Sequence, residues 1–110
     1  MTISKVVVTK GRAYPRNAEI IGFFEDRGLY ERTTWKAQFL KLEEEVDELK
    51  DALLLGDDEQ VLNEAGDCYI CLLNVLHSCG LTMDNAVDYA TNKIVKRKGK
   101  VVNGQFVKEE

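Results

Sequence analysis

The sequence predicts an all-α fold: a helical bundle of about four helices, completed by oligomerisation, with a short C-terminal β-hairpin. Three observations carry that prediction. Trp35, Phe39, Leu42, Val46, Leu49 and Leu53 recur at steps of three and four, the spacing of one helix face. From Val61 to Cys79 the chain is apolar on nearly every side of a helix, which marks a central, buried element. Near the end, KVVNGQFV alternates about Asn103-Gly104, a residue pair suited to a two-residue hairpin turn with positive φ.

Taken in order, the first dozen residues include Val6, Val7 and Val8, and periodicity alone leaves open whether they are extended. Pro15 fits a first helical turn and Gly28 a helix end, giving a first helix over 15–27 with Ile20, Ile21, Phe23 and Phe24 as its apolar content. Thr33 or Thr34 caps a second helix running to Gly56, and Asp57 or Asp58 caps a third ending near Gly80. Thr82 caps a fourth, with Asp84 near its positive end. That helix is expected to reach about Gly99, with Lys96, Arg97 and Lys98 in its last turn. The whole chain reads as one domain, 1–110, with a core over 15–99 and a hairpin tail over 100–107.

Composition narrows the function classes. A chain of 110 residues supports a modest core and is small for an enzyme that must enclose a substrate, so a homo-oligomer is expected. Net charge is −4 with both signs spread widely, which argues against nucleic acid as a partner. No apolar run is long enough to span a membrane, and the start MTISKVVVTKGR lacks the apolar stretch of a signal peptide. Cys68, Cys71 and Cys79 are odd in number and close together, which fits a reducing cytoplasm better than a disulfide framework.

The chemistry is concentrated in two acidic clusters. Glu44, Glu45 and Glu48 lie in EEEVDE, and Glu64 and Asp67 in EAGD. Each cluster holds a pair at i, i+3, which puts two carboxylates on one side of a helix. Two such helices face to face aim four carboxylates at one point, and these cannot all stay charged without a cation. No His occupies either i+3 position, so the oxygen-only set favours Mg²⁺, with Mn²⁺ next. Glu45 and Glu48 fall on the flank of the apolar stripe beside Gln38 and Lys41, with Glu44 slightly further round. Glu43, Asp47, Asp51 and the run 57–59 read as solvated surface. Glu64 and Asp67 do not, because the helix around them has almost no polar face and buried carboxylates need a partner.

Other residues admit two readings. Lys93 and Arg97, with Lys96 nearby, would meet the phosphates of a polyphosphate beside the metal, or would only complement a helix C-terminus. Trp35 and Tyr30 would stack on a base, or Trp35 would serve core or dimer packing. Cys68 and Cys71 form a C-x-x-C inside a helix, where no dipole depresses a thiol pKa and no second ligand pair makes a zinc site. They read as core, with Cys71 one turn beyond Asp67 placed to line a pocket. His77 has no nucleophile at helical spacing and reads as structural. No GxxxxGK[ST] phosphate loop occurs.

Glu44-Glu45-Val46-Asp47-Glu48 followed by Glu64-Ala65-Gly66-Asp67 resembles the EExxE and ExxD signature of the MazG-like all-α nucleoside triphosphate pyrophosphatases. The wider frame AQFLKLEEEVDEL…NEAGD and the segment Lys93-Ile94-Val95-Lys96-Arg97 extend the likeness over about residues 34–107. The ending RKGKVVNGQFVKEE is similar to small phage-type members with a short hairpin. The resemblance implies hydrolysis of a nucleoside triphosphate to monophosphate and pyrophosphate with Mg²⁺, in a helical homodimer or homotetramer. It implies Glu45, Glu48, Glu64 and Asp67 as metal ligands, and Glu44 as a second carboxylate that orients or deprotonates water. Lys93 and Arg97 would hold phosphates, and Lys41, Trp35 and Cys71 would border the substrate. The pattern departs at one position: where the family often has Asn two residues before the basic lysine, this chain has Thr91, with Asn92 displaced by one. Two alternatives stand beside this reading, a phosphoribosyl-ATP pyrophosphohydrolase-like enzyme and a non-catalytic helical dimer that binds metal or nucleotide.

Overall fold

A computed structural model of the chain describes residues 15–109, and the Val6–Val8 stretch lies outside the described residues. The described chain comprises α1 (Asn17–Asp26), α2 (Leu29–Arg32), α3 (Trp35–Leu55), α4 (Asp58–Ser78), α5 (Met83–Ile94) and the strands β1 (Gly99–Val102) and β2 (Gln105–Lys108). The all-α class with a C-terminal hairpin is what the residues predict.

Helix starts follow side-chain chemistry. The Thr34 hydroxyl accepts from Ala37 N–H at 3.2 Å, and Thr82 does the same for Asn85 at 3.2 Å. The Asp57 carboxylate accepts from Glu59 and Gln60 at 3.1 and 3.3 Å. Each such cap satisfies an otherwise orphaned donor and contributes roughly 1 kcal/mol. Gly56, at φ 75°, sends its N–H back to Ala52 and Leu53 and closes α3; a side chain there would be strained.

Three boundaries differ from the sequence reading. α1 begins at Asn17, leaving Pro15 and Arg16 ahead of it, and the single-turn α2 after Gly28 is not predicted. More consequentially, α5 stops at Ile94 rather than near Gly99. β-Branched Ile94 and Val95 lose rotamer freedom in a helix, and Lys93, Lys96 and Arg97 would stack like charges on successive turns. Lys96, Arg97 and Lys98 therefore lie past the helix, and Lys93 and Arg97 do not share a helical turn.

α3 and α4 form the principal packed pair, joined by the short Gly56–Asp57 link, with α1 and α5 against α4. Two buried polar contacts fix the flanking elements. Asn17 accepts from Tyr69 Oη at 2.7 Å and donates to Asp84 at 3.1 Å, tying α1 to α4 and α5. Tyr30 Oη donates to buried Asn74 at 2.6 Å while its ring packs on His77 at 4.1 Å between centroids. Tyr30 is thereby engaged within the fold rather than offered to a base.

The rotation of α3 differs from the prediction. Its buried residues are Glu45 and Ala52, with Gln38, Leu42 and Leu49 partly covered. The residues that sequence assigns to the core stripe are still open to solvent: Trp35 is 49 % exposed, Phe39 45 %, Val46 49 % and Leu53 44 %. A helix facing one partner needs one apolar stripe, and α3 carries enough apolar surface for two.

β1 and β2 pair antiparallel, Val101 opposite Phe106, around Asn103 and Gly104 at φ 51° and 77°, the turn geometry that Asn-Gly favours. A Cβ on Gly99 would overlap the Val107 carbonyl oxygen and the Phe106 ring. Gly99→Ala is expected to cost the hairpin about 1–3 kcal/mol by overpacking. A lone two-stranded hairpin is marginal, so amide exchange at Val101 and Val107 should accelerate while helical circular dichroism stays unchanged.

Candidate functional site

The short link between α3 and α4 sets their register: residues equally far from it along the two helices lie side by side. Glu48 thus meets the turn of α4 that carries Glu64, and Glu45 the next turn, at Cys68. Oxygens of Glu45, Glu48 and Glu64 all lie within 4.8 Å of one another. Glu45 is 6 % exposed, so the carboxylate read from sequence as flanking sits in the helix interface. Its Oε1 is 3.3 Å from Lys41 Nζ, which also reaches Glu44 at 3.4 Å. Oε2 of Glu45 and Oε2 of Glu64 are buried with no hydrogen-bond partner. Buried carboxylate oxygens rarely go unsatisfied, and a shared hard cation would satisfy both at once. The donor set fits such a metal.

The electrostatics agree. Glu45, and then Glu64, push the Glu48 carboxyl up to about 7, because a proton held among close carboxylates relieves their repulsion. Burial raises the Cys68 thiol, as do the charges of Glu45, Asp67, Glu64 and Glu48. Cys71 is raised by burial and by Glu45, while Lys41 acts in the opposite direction. Both thiols are held in the protonated form, as expected away from a helix N-terminus.

Glu48 makes stability depend on pH. A carboxyl whose folded pKa lies above its ordinary value binds more protons folded than unfolded, so stability falls as pH rises between the two. Without metal, the melting temperature is expected to decline from pH 4.5 to about 7. Mg²⁺, or Glu48→Gln, should flatten that decline. A slope that persists in Glu48→Gln would assign it to another group.

Residues 33–102 match the family model of the MazG nucleotide pyrophosphohydrolase domain. The chain belongs to the MazG family. Comparison with curated proteins and with solved structures finds no match. The MazG match spans α3, α4, α5 and β1, and so takes in both acidic clusters and the basic segment. At the level of the family, the activity is hydrolysis of nucleotide pyrophosphate bonds. Among the described residues no helix is long and apolar enough to cross a membrane.

Within this MazG domain the predicted residues divide. Glu45, Glu48 and Glu64 converge, with Lys41 and the exposed Glu44 at the edge of the group. Buried Cys71 faces Glu45 and Lys41. Asp67 lies one turn from Glu64, close enough to act on both thiols, but its carboxylate is outside the three-residue group. Trp35 stands half exposed at the start of α3, ten residues or about 15 Å of helix from Glu45. Lys93 and Arg97 are on the surface, and among the described residues neither pairs with the carboxylates. Cys68 borders the acidic group although its sequence context reads as core. Its position at i+4 from Glu64 is the signal that marks it.

Proposed function

We propose that the chain hydrolyses a nucleoside triphosphate, ribose or deoxyribose, to the monophosphate and pyrophosphate with Mg²⁺, Mn²⁺ serving in its place. The observation that carries this is the trio Glu45, Glu48 and Glu64 within 4.8 Å, two of whose buried oxygens lack any partner. These three would hold the cation, with Asp67 as the fourth ligand. When bound, the cation supplies charge neutralisation at phosphate oxygens and a more acidic water. Lys41, bridging Glu44 and Glu45, holds the two carboxylates in fixed relation. Glu44, exposed at the edge, accepts the proton of the attacking water. Lys93 and Arg97 bind phosphate oxygens not covered by the metal, and the half-exposed Trp35 ring offers a surface for the base. Cys71 closes the inner wall.

The test is a panel of NTPs, dNTPs and phosphoribosyl-ATP with and without Mg²⁺, products resolved by anion exchange. One-step release of monophosphate and pyrophosphate, abolished by chelation, is expected. Nucleoside diphosphate with orthophosphate would overturn the α-phosphorus reading. Phosphoribosyl-ATP as the preferred substrate would point to the biosynthetic alternative, and binding without turnover to the non-catalytic one.

A further inference from the structure

Charge is divided between the body of the molecule and its C-terminal arm. Lys93, Lys96, Arg97, Lys98, Lys100 and Lys108 crowd into residues 93–109 against one acid, Glu109, in a chain whose net charge is −4. Among the described residues none of these six cations is ion-paired. Lys96, Arg97, Lys98 and Lys108 line a cleft of about 450 Å³. The carboxylate group has the opposite imbalance, with Lys41 the cation paired to it.

Within one chain the two charge sets do not meet, because α5 leaves the bundle early. Met83 is its buried residue. Beyond it, Val87 is 51 % exposed and Ile94 56 %. Yet Met83, Val87, Ala90 and Ile94 follow each other at steps of three and four, an apolar face with nothing upon it. The hairpin beyond is exposed throughout. On α3, the stripe Trp35, Phe39, Val46 and Leu53 is likewise uncovered.

We propose that the arm made of α5 and the hairpin crosses to a second copy of the chain, lays its apolar face on that copy's α3 stripe, and carries its basic stem to that copy's carboxylates. The occupant follows from complementarity: an apolar helix face meets an apolar stripe, and unpaired cations meet an acidic group short of them. Exchange is reciprocal about a twofold axis. Each dimer then holds two sites, with metal-binding carboxylates from one chain and phosphate-binding cations from the other. The proposal rests on the pyrophosphohydrolase reading above and adds the origin of the cations.

Subunit complementation tests it. Glu45→Gln and the triple variant Lys93→Ala, Lys96→Ala, Arg97→Ala are co-expressed with different tags, and the heterodimer is isolated by tandem affinity. Both parent homodimers are expected to be inactive, with helical circular dichroism like the wild type. The heterodimer contains one site in which both halves are intact, so it should recover about half of wild-type turnover per dimer. A heterodimer as inactive as its parents would place carboxylates and cations in the same chain and overturn the exchange, leaving the proposed activity standing. Failure to capture any heterodimer, or full activity in the triple-variant homodimer, would also overturn it. Full activity in Glu45→Gln alone would instead remove the metal-site reading on which it rests.

Discussion

Glu45→Gln is expected to lower kcat/KM for pyrophosphate release by about 100-fold or more while raising the melting temperature of the metal-free protein. The two effects share one cause. Glu45 is 6 % exposed, one of its oxygens has no partner, and it lies within 4.8 Å of two other carboxylates. In the absence of a cation its charge is destabilising, and the neutral amide keeps the shape without the repulsion. The opposing term is the lost attraction to Lys41, but that side chain is 54 % exposed, and pairs so open to water contribute little. Loss of activity together with a gain in stability separates a metal ligand from a structural residue, whose removal would lower both. Asp47→Asn, on the exposed side of α3, is the control and should change neither by much. Ordinary Mg²⁺-dependent turnover by Glu45→Gln would show that the trio is not the metal site.

Phe39→Asp is expected to dissociate the oligomer, raising its Kd by at least about 30-fold, the equivalent of one aromatic hot spot. Phe39 is 45 % exposed in the middle of the uncovered α3 stripe. An apolar stripe of that length on a soluble chain marks a protein interface. Sedimentation velocity at micromolar concentration reads the result directly. If the wild type already sediments as a monomer with full activity, the stripe is not an interface and the substitution should have little effect.

The parts of this fold that were legible in sequence are those fixed by local chemistry. Thr34, Asp57 and Thr82 each cap the helix they precede. Asn103-Gly104 makes its turn because only such a pair accepts two positive φ angles. The acidic clusters were legible because i, i+3 spacing and a short interhelix link together specify a meeting point. What escaped depends on contacts far apart in the chain. The rotation of α3 is set by α4, so neighbouring Glu45 and Val46 exchange their expected burial. The Asn17–Asp84 contact joins residues 67 positions apart, and an asparagine at a helix start reads locally only as a cap. The early end of α5 is a balance between helix propensity and like-charge crowding, too close for pattern reading to decide.

The Gly56–Asp57 link also limits how the gap between the acidic motifs can change over evolutionary time. One residue added to α4 ahead of Glu64 would swing that carboxylate about 100° away from Glu48. Growth that spares the site must lengthen both helices together, one turn on each, or about seven residues in all. The tip of the helical hairpin then moves away while the carboxylates stay where they are. Lineages built on this plan should differ in motif spacing by multiples of roughly seven, so that the gap counts how many pairs of turns separate the tip from the metal.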